Sequence, residues 1–310
     1  MNSSLKRFLP LCIILLAGIA AIIAAEWQHI GTRPSPQAVL TAAADAQHEL
    51  TRVPAHYDVM TDADEIALGN TLADHYVAEF ARSQATSAQL AADKQTEAYL
   101  QTIGLRVATH ARRKLPWRFH YIPDANFVNA FALPGGHVFV GDGLLRLMHS
   151  EDALAGVLGH EVSHIDLRHC AERAQTEAHL RDLGPLGVLG GLPVEVFLGG
   201  YSKTQELEAD RDGTTLAVAA AYSPLGILQL FAEFARLEQA APATPPNGPV
   251  DEAANLSLAT LSGYFRSHPP AAERIQQVRS LISANHWPTP PPRPLQWKPH
   301  LTASRTPDAP

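Results

Sequence analysis

The stretch GHEVSHIDLRH, residues 159–169, places two histidines four positions apart, with a glutamate directly after the first. Ser150 can cap a helix through this stretch, whose apolar residues recur on one face. Residues four apart lie on the same face of a helix, so His160 and His164 can each direct a ring nitrogen at one metal ion. Glu161 is rotated away by one residue, which suits a base that acts on a water molecule beside the ion. The motif predicts a catalytic metal site, and the alternative is two exposed histidines on an ordinary helix.

A catalytic metal ion needs a third protein ligand and one open position. His169 is one residue short of the place where elongated motifs of this type carry a third histidine, so we expect it to be a helix-end or core-facing residue. In the later stretch ELEAD, Glu206 and Asp210 lie four apart on one helix face, so one can bind the ion while the other holds a ligand imidazole. The spacing does not rank Glu206 above Glu208, and a solvated charged face is the simpler alternative.

The composition is that of a globular chain with one main domain. Of 310 residues, 46% are hydrophobic and 18% are charged. The net charge of -7, without any block of lysine and arginine, argues against nucleic acid as a partner. The two cysteines, Cys12 and Cys170, argue against a framework of disulfide bonds.

The N-terminus has the pattern of an export or anchoring signal. Two basic residues precede an apolar run from Phe8 to Ala25, which is long enough to cross a bilayer. We expect a signal peptide or membrane anchor over residues 1–26, with the rest of the chain outside the cytoplasm. A helical segment and linker should follow over 27–59, and the proline-rich tail over 286–310 should be extended and poorly ordered.

Helical patterns predominate between these ends. The stretch WRFHYIPD, residues 117–124, predicts a strand. In NAFALPGGHVFVGDGLL, residues 129–145, a proline and two glycines divide two short apolar segments, which predicts a hairpin or a bent strand. Together these patterns predict an α+β fold that is mainly helical.

Four stretches, NAFALPGGHVFV, GHEVSHIDLRH, ELEADRDG and SHPPAAER, follow one another in the order found in a known family. Residues 60–285 resemble the zinc metallopeptidase family that includes the CAAX prenyl proteases, the HtpX-like proteases and the periplasmic outer-membrane-assembly (BepA-like) proteases. The resemblance implies a zincin-type (gluzincin) metalloprotease core, in which a small sheet carries an edge strand beside the active-site helix. The N-terminal signal or anchor implies an exported protein, in the periplasm or at the periplasmic face of the inner membrane.

The same resemblance implies the site residues. One Zn2+ per chain would be bound by His160, His164 and Glu206, with Glu161 as the catalytic base and Asp210 as the carboxylate that supports a ligand. The edge strand would pair with an extended substrate through its main chain. Its residues are Asn129, Ala130, Phe131, Ala132, Gly135 and Gly136.

Two further residues match family positions beyond the ligand helix. His268 and Arg274 are catalytic candidates, because either could stabilise the oxyanion of the tetrahedral intermediate. His268 could instead occupy the open position of the zinc ion and restrain activity. Without such roles they would be a histidine at a helix start and a surface arginine.

The leading hypothesis is a zinc metalloendopeptidase that cleaves unfolded or misassembled envelope proteins and is attached to the membrane through its N-terminal segment. The alternative is a chaperone-like module that binds clients and has a closed or inactive metal site. Glu161 argues against this alternative, since a binding module has no need of a catalytic base. A purely structural metal is disfavoured, because such sites are usually closed by four protein ligands.

Overall fold

The computed structural model describes residues 60–81, 85–180, 195–198, 200–239 and 271–297. All of them belong to the compact unit that begins at Thr51. The expected signal or anchor, the segment that follows it, His268 and the tail beyond Trp297 lie outside the described residues. Within the described part of the chain, no helix is long and apolar enough to cross a bilayer.

Two capped helices open the described domain. Helix α1 spans Asp62–Phe80 and helix α2 spans Ser87–Ala108. Each begins with a capping box, in which a threonine and the residue three positions later exchange hydrogen bonds between side chain and backbone. The start of α1 is joined to the rest of the domain by Glu65, which is buried and pairs with Arg113 and Arg168. A buried carboxylate needs such partners, because charge is costly to remove from water.

A three-stranded sheet follows α2. Its strands are β1 (Arg118–Ile122), β2 (Ala130–Leu133) and β3 (His137–Gly141), with β3 in the middle. Strand β3 pairs in parallel with β1 and antiparallel with β2, so β2 is an outer strand of the sheet. The strand predicted in residues 117–124 and the hairpin predicted in residues 129–145 are both confirmed.

The prediction that Gly135 and Gly136 belong to an edge strand is wrong. Both lie in the 3-10 turn Pro134–Gly136 between β2 and β3, with φ angles of 77° and 114° that glycine adopts without strain. A Cβ atom on Gly135 would lie 2.6 Å from the carbonyl oxygen of Glu65, so the turn packs directly on α1. The other predicted edge residues lie in β2 or, in the case of Asn129, directly before it.

Seven more helices are described after the sheet. They are α3 (Asp142–Leu147), α4 (Glu151–Asp166), α5 (His169–Leu180), α6 (Glu195–Leu198), α7 (Lys203–Ala219), α8 (Leu225–Gln239) and α9 (Ala271–Asn285). Helix α4 is central, because it packs against α2, α7, α8 and β2, and all its residues from Asp152 to Asp166 are buried. The described part is therefore a mainly helical α+β domain, as predicted.

Helices α4 and α7 cross at two glycines. A Cβ atom on Gly213 would lie 2.5 Å from the backbone nitrogen of His160, and one on Gly159 would lie 2.4 Å from the carbonyl oxygen of Gly213. A real Cβ atom cannot approach backbone so closely, so only glycine permits this crossing. Because it lies beside His160 and one helical turn after Asp210, the crossing sets the distance between their side chains.

The chain after α9 lies against the domain as far as Trp297. Arg293 donates its backbone N–H to Asp152, and Pro294 forms a β-bridge with Ser150 at the start of α4. The indole N–H of Trp297 donates to a threonine of α2. That the tail is extended and poorly ordered stays a prediction.

Candidate metal centre

Two helices supply three side chains that could hold a metal ion. His160 and His164 come from α4 and Glu206 from the first turn of α7, and one ligand atom of each lies within 4.8 Å of the other two. The Nε2 atoms of the two histidines are 3.1 Å apart. Each Nε2 atom lies 3.5 Å from a carboxylate oxygen of Glu206. All three side chains are buried, which excludes the alternative of exposed histidines on a solvated helix.

Ring orientation distinguishes this pair from an ordinary hydrogen-bonded pair of histidines in the same domain. His120 Nε2 and His137 Nδ1 are 3.0 Å apart, and their rings are nearly parallel, at 8°, with centroids 5.3 Å apart. The rings of His160 and His164 make an angle of 79°, and their centroids are only 4.7 Å apart at nearly the same nitrogen distance. Their nitrogens therefore meet at an angle, as two ligands of one ion do, and not head-on across a shared proton.

Asp210 and Arg274 hold the Nδ1 side of His160. His160 Nδ1 lies 2.8 Å from Asp210 Oδ1. Arg274, from α9, donates to both oxygens of Asp210 at 2.7 and 2.6 Å, and its guanidinium lies 4.2 Å from the ring centroid of Phe231. Burial alone would raise the pKa of Asp210, but the charge and hydrogen bonds of Arg274 lower it. Arg274 is 2% exposed and is therefore not a surface arginine.

A different set of residues holds His164. Its Nδ1 atom lies 3.0 Å from Nδ1 of His169, the first residue of α5, and His169 Nε2 lies 3.5 Å from Glu208 Oε2. The ring of Tyr201 stacks on the imidazole of His164, with centroids 4.0 Å apart and an interplanar angle of 19°. Both histidines of the motif therefore have their Nδ1 atoms engaged, while their Nε2 atoms approach Glu206.

Glu161 is buried and is not one of the three converging side chains. Burial raises the pKa of its carboxyl group to about 7. A cation bound nearby would lower this pKa again, since positive charge favours the carboxylate. The group can therefore exchange a proton near neutral pH.

Protons compete with a metal ion at His160. Burial alone would lower its pKa, but the hydrogen bonds with Asp210 and Glu206 raise the pKa of His160 to about 9. A metal ligand must be the neutral ring, so binding of an ion releases the proton. Metal affinity should therefore increase with pH up to that value.

Protein-family comparison agrees with this geometry. The model described as peptidase family M48 matches residues 94–189 and 185–282. The chain belongs to this family. The matched residues include the three candidate ligands and the residues that support them, and the match confirms the resemblance carried by the four sequence motifs. The family is one of peptidases, and curated relatives of the chain are named as proteases.

Curated relatives carry related names. The chain is 28% identical over 233 residues to the beta-barrel assembly-enhancing protease of Yersinia pestis. The aligned region covers 68% of the chain and 46% of that protein. The chain is 28% identical over 188 residues to a mitochondrial metalloendopeptidase of Schizosaccharomyces pombe, covering 57% of the chain and 50% of that protein. It is 28% identical over 174 residues to the metalloprotease LoiP of Escherichia coli, covering 52% of the chain and 61% of that protein. The chain thus spans about half the length of these relatives.

The structure also separates residues that sequence spacing left equivalent. Glu206 joins the two histidines, whereas Glu208 lies beside His169. The contact of His169 with His164 was not expected from the sequence, because residues five apart diverge on a continuous helix. The chain turns between them at Arg168, which has a φ angle of 66°. No sequence pattern marks a left-handed arginine, so this contact had no recognisable signal.

Proposed function

We propose that this chain is a zinc-dependent endopeptidase that binds one zinc ion through His160, His164 and Glu206. The convergence of these three buried side chains carries the proposal. Two imidazoles and a carboxylate are the donor set of many catalytic zinc sites. Atoms that bind one tetrahedral zinc ion at ~2.0–2.1 Å are ~3.3 Å from one another. The two Nε2 atoms here are 3.1 Å apart, and each lies 3.5 Å from a different oxygen of Glu206, Oε2 for His160 and Oε1 for His164, which is close to this spacing.

A zinc ion bound there would supply a Lewis acid that polarises the scissile carbonyl group and activates a water molecule. Glu161 directly follows His160, and its carboxylate takes the proton of the attacking water and passes it to the nitrogen of the leaving amine. Asp210 and Arg274 orient His160 from its Nδ1 side, so we assign Arg274 a positioning role. The Nε and Nη2 atoms of Arg274 donate to the two oxygens of Asp210, which supports this role.

Strand β2 is the proposed edge for substrate binding. It is an outer strand of the sheet and contacts α4, the helix that carries the two histidines. An extended polypeptide that adds to such an edge is held by backbone hydrogen bonds, which depend little on its sequence. We therefore propose unfolded or misassembled proteins as substrates. The residues that would bind them are Asn129, Ala130, Phe131 and Ala132.

We propose that the protein is exported and acts in the periplasm or at the periplasmic face of the inner membrane. Two observations support this location. Basic residues precede an apolar run at the N-terminus, as in a signal or an anchor. The relative from Yersinia pestis is named a beta-barrel assembly-enhancing protease. In that compartment the substrates would be envelope proteins.

The test uses the full-length protein and three variants. We expect zinc in the wild type by metal analysis, and its loss from Glu206→Ala. Glu161→Gln should retain zinc but cleave casein about 100- to 10,000-fold more slowly, because it lacks the base. Glu273→Gln, which changes a half-exposed glutamate paired with Lys203, is the control and should retain zinc and activity.

Each outcome of this test separates the hypotheses. Casein cleavage that survives Glu161→Gln would refute the proposed mechanism. A wild type that binds zinc and holds unfolded casein without cleaving it would support the chaperone-like alternative instead. A wild type without zinc would refute the metal assignment.

A further inference from the structure

We propose that His169, supported by Glu208, is a positioning residue that sets the ring orientation and the proton of the zinc ligand His164. The inference rests on the proposed function, since it assumes that His164 binds zinc. It gives His169 a role at the site, in place of a role in helix termination or core packing alone.

The distances describe a chain of three side chains that starts at His164. Its Nδ1 atom lies 3.0 Å from Nδ1 of His169, and the ring centroids are 5.1 Å apart. The ring planes make an angle of 64°, unlike the nearly parallel rings of His120 and His137. The nitrogen and centroid distances are nevertheless close to those of that pair, so the two nitrogens meet head-on and share a hydrogen bond. On the far side of His169, Nε2 lies 3.5 Å from the Glu208 carboxylate.

Proton positions in this chain follow from the metal ligand. A ring that binds a metal ion through Nε2 carries its proton on Nδ1. For His164 this N–H points at His169 Nδ1, which must accept and must therefore carry its own proton on Nε2. That second N–H faces the carboxylate of Glu208, which in its ionised form can only accept. With the proton of His164 on Nδ1 and that of His169 on Nε2, each N–H faces an acceptor. This placement also leaves the lone pair of His164 Nε2 directed at the ion.

The backbone brings His169 to this place through a left-handed turn at the end of α4. Helix α4 ends at Asp166, and Arg168 then adopts a left-handed conformation with a φ angle of 66°, which is strained for a residue with a side chain. The guanidinium of Arg168 stabilises the turn by donating to the carbonyl oxygen of Met60 at 2.9 Å and to buried Glu65 at 3.1 Å.

Helix α7 carries residues that support both histidines of the motif. Glu206 supplies the third ligand, Asp210 holds Nδ1 of His160, and Glu208 supports the residue that holds Nδ1 of His164. The two ligands are thus oriented in parallel ways, His160 by a carboxylate directly and His164 by a carboxylate through a second imidazole. Loss of such supporting partners typically weakens metal binding about 10- to 100-fold.

Three substitutions of His169 separate positioning from packing. His169→Asn keeps an oxygen acceptor near the place of Nδ1, whereas His169→Gln moves the polar group away from it and His169→Phe removes it. We expect zinc affinity near that of the wild type for His169→Asn, and affinity about 10- to 100-fold weaker for His169→Gln and His169→Phe. The matched control is His120→Phe, which removes a histidine pair with the same nitrogen distance in the sheet and should leave zinc affinity unchanged.

The measurement is zinc affinity by competition with a chromophoric chelator, together with the visible absorption spectrum of the cobalt-substituted protein. The spectrum should change in His169→Gln and His169→Phe and stay unchanged in His169→Asn. If His169→Phe fails to fold, the comparison of His169→Asn with His169→Gln still distinguishes a positioning role from a packing role. Equal zinc affinity and equal cobalt spectra across the series, with only thermal stability reduced, would overturn the inference and leave the proposed function intact. A wild type that binds no zinc would overturn both.

Discussion

The crossing of α4 and α7 provides the sharpest test of how the fold builds the site. In Gly213→Ala, the new Cβ atom would lie 2.5 Å from the backbone nitrogen of His160, whereas ordinary contact begins near 3.4 Å. The neighbouring atoms belong to backbone, so no side chain can move aside and the two helices must separate by about 1 Å. Metal sites tolerate changes of only about 0.2 Å in ligand distances. The substitution should therefore move Glu206 out of reach of the ion held by the two histidines.

Two opposing contributions set the effect of Gly213→Ala on stability. Alanine favours a helix over glycine by about 1 kcal/mol, while overpacking in a buried interface costs about 1–3 kcal/mol. The upper part of that range applies here, because the contacts are with backbone atoms. We expect a net loss of about 1–2 kcal/mol in the free energy of unfolding, and zinc binding weaker by at least about 10-fold.

Urea unfolding in the presence of a chelator gives the stability of the metal-free protein, and chelator competition gives its zinc affinity. Gly104→Ala is the control, because its Cβ atom would lie 2.5 Å from the ring of Phe119, between α2 and β1. This control should lose stability but keep its zinc affinity. Wild-type zinc affinity in Gly213→Ala would refute the idea that the glycine crossing sets the geometry of the site.

Three other predictions concern charge, pH and metal. Arg274→Met should lower the free energy of unfolding by about 3–5 kcal/mol, because it leaves Asp210 as a buried charge without the guanidinium that pairs with it. Urea unfolding measures this loss, and a second substitution, Asp210→Asn, should recover part of it. Burial and the charges of His120 and Arg118 lower the pKa of His137 to about 4, so the unfolded chain binds a proton that the folded protein does not between about pH 6.5 and 4. Stability should therefore fall by up to about 3 kcal/mol as the pH drops through this window, and unfolding curves of His137→Gln should lack that part of the decrease. Removing zinc with a chelator should abolish casein cleavage and lower the melting temperature, with about 4 kcal/mol lost relative to free zinc at 1,000 times the dissociation constant; an unchanged melting temperature would contradict the metal assignment.

The two halves of the site have different tolerance to change. His160 depends on a charged pair, Asp210 and Arg274, that is almost completely buried, so loss of either partner leaves a charge without compensation. His164 depends on His169 and on a glutamate at the edge of the site, Glu208, whose side chain is 26% exposed. Substitutions on the His160 side should therefore reduce both stability and metal binding, whereas substitutions on the His164 side should mainly reduce metal binding.

Local patterns in the sequence were sufficient for the helix and strands near the site and for two of the three candidate ligands. The helix that carries His160 and His164 was predictable because a spacing of four residues and a serine cap act within a single helix. The strand at 117–124 and the hairpin at 129–145 were predictable for the same reason, since alternation and turn residues operate over a few positions. The order of the four motifs was sufficient to identify the family.

Tertiary structure alone decided which residues meet across the chain. Glu206 and Glu208 are two positions apart and chemically identical. Which face of α7 packs toward α4 makes the first a candidate ligand and the second a partner of His169. The burial of Arg274 and the place of Gly135 in a turn against α1 likewise depend on packing between distant segments. Spacing along a chain determines which face of an element a residue occupies, but the approach of two backbones depends on every side chain between them, and here on a pair of glycines.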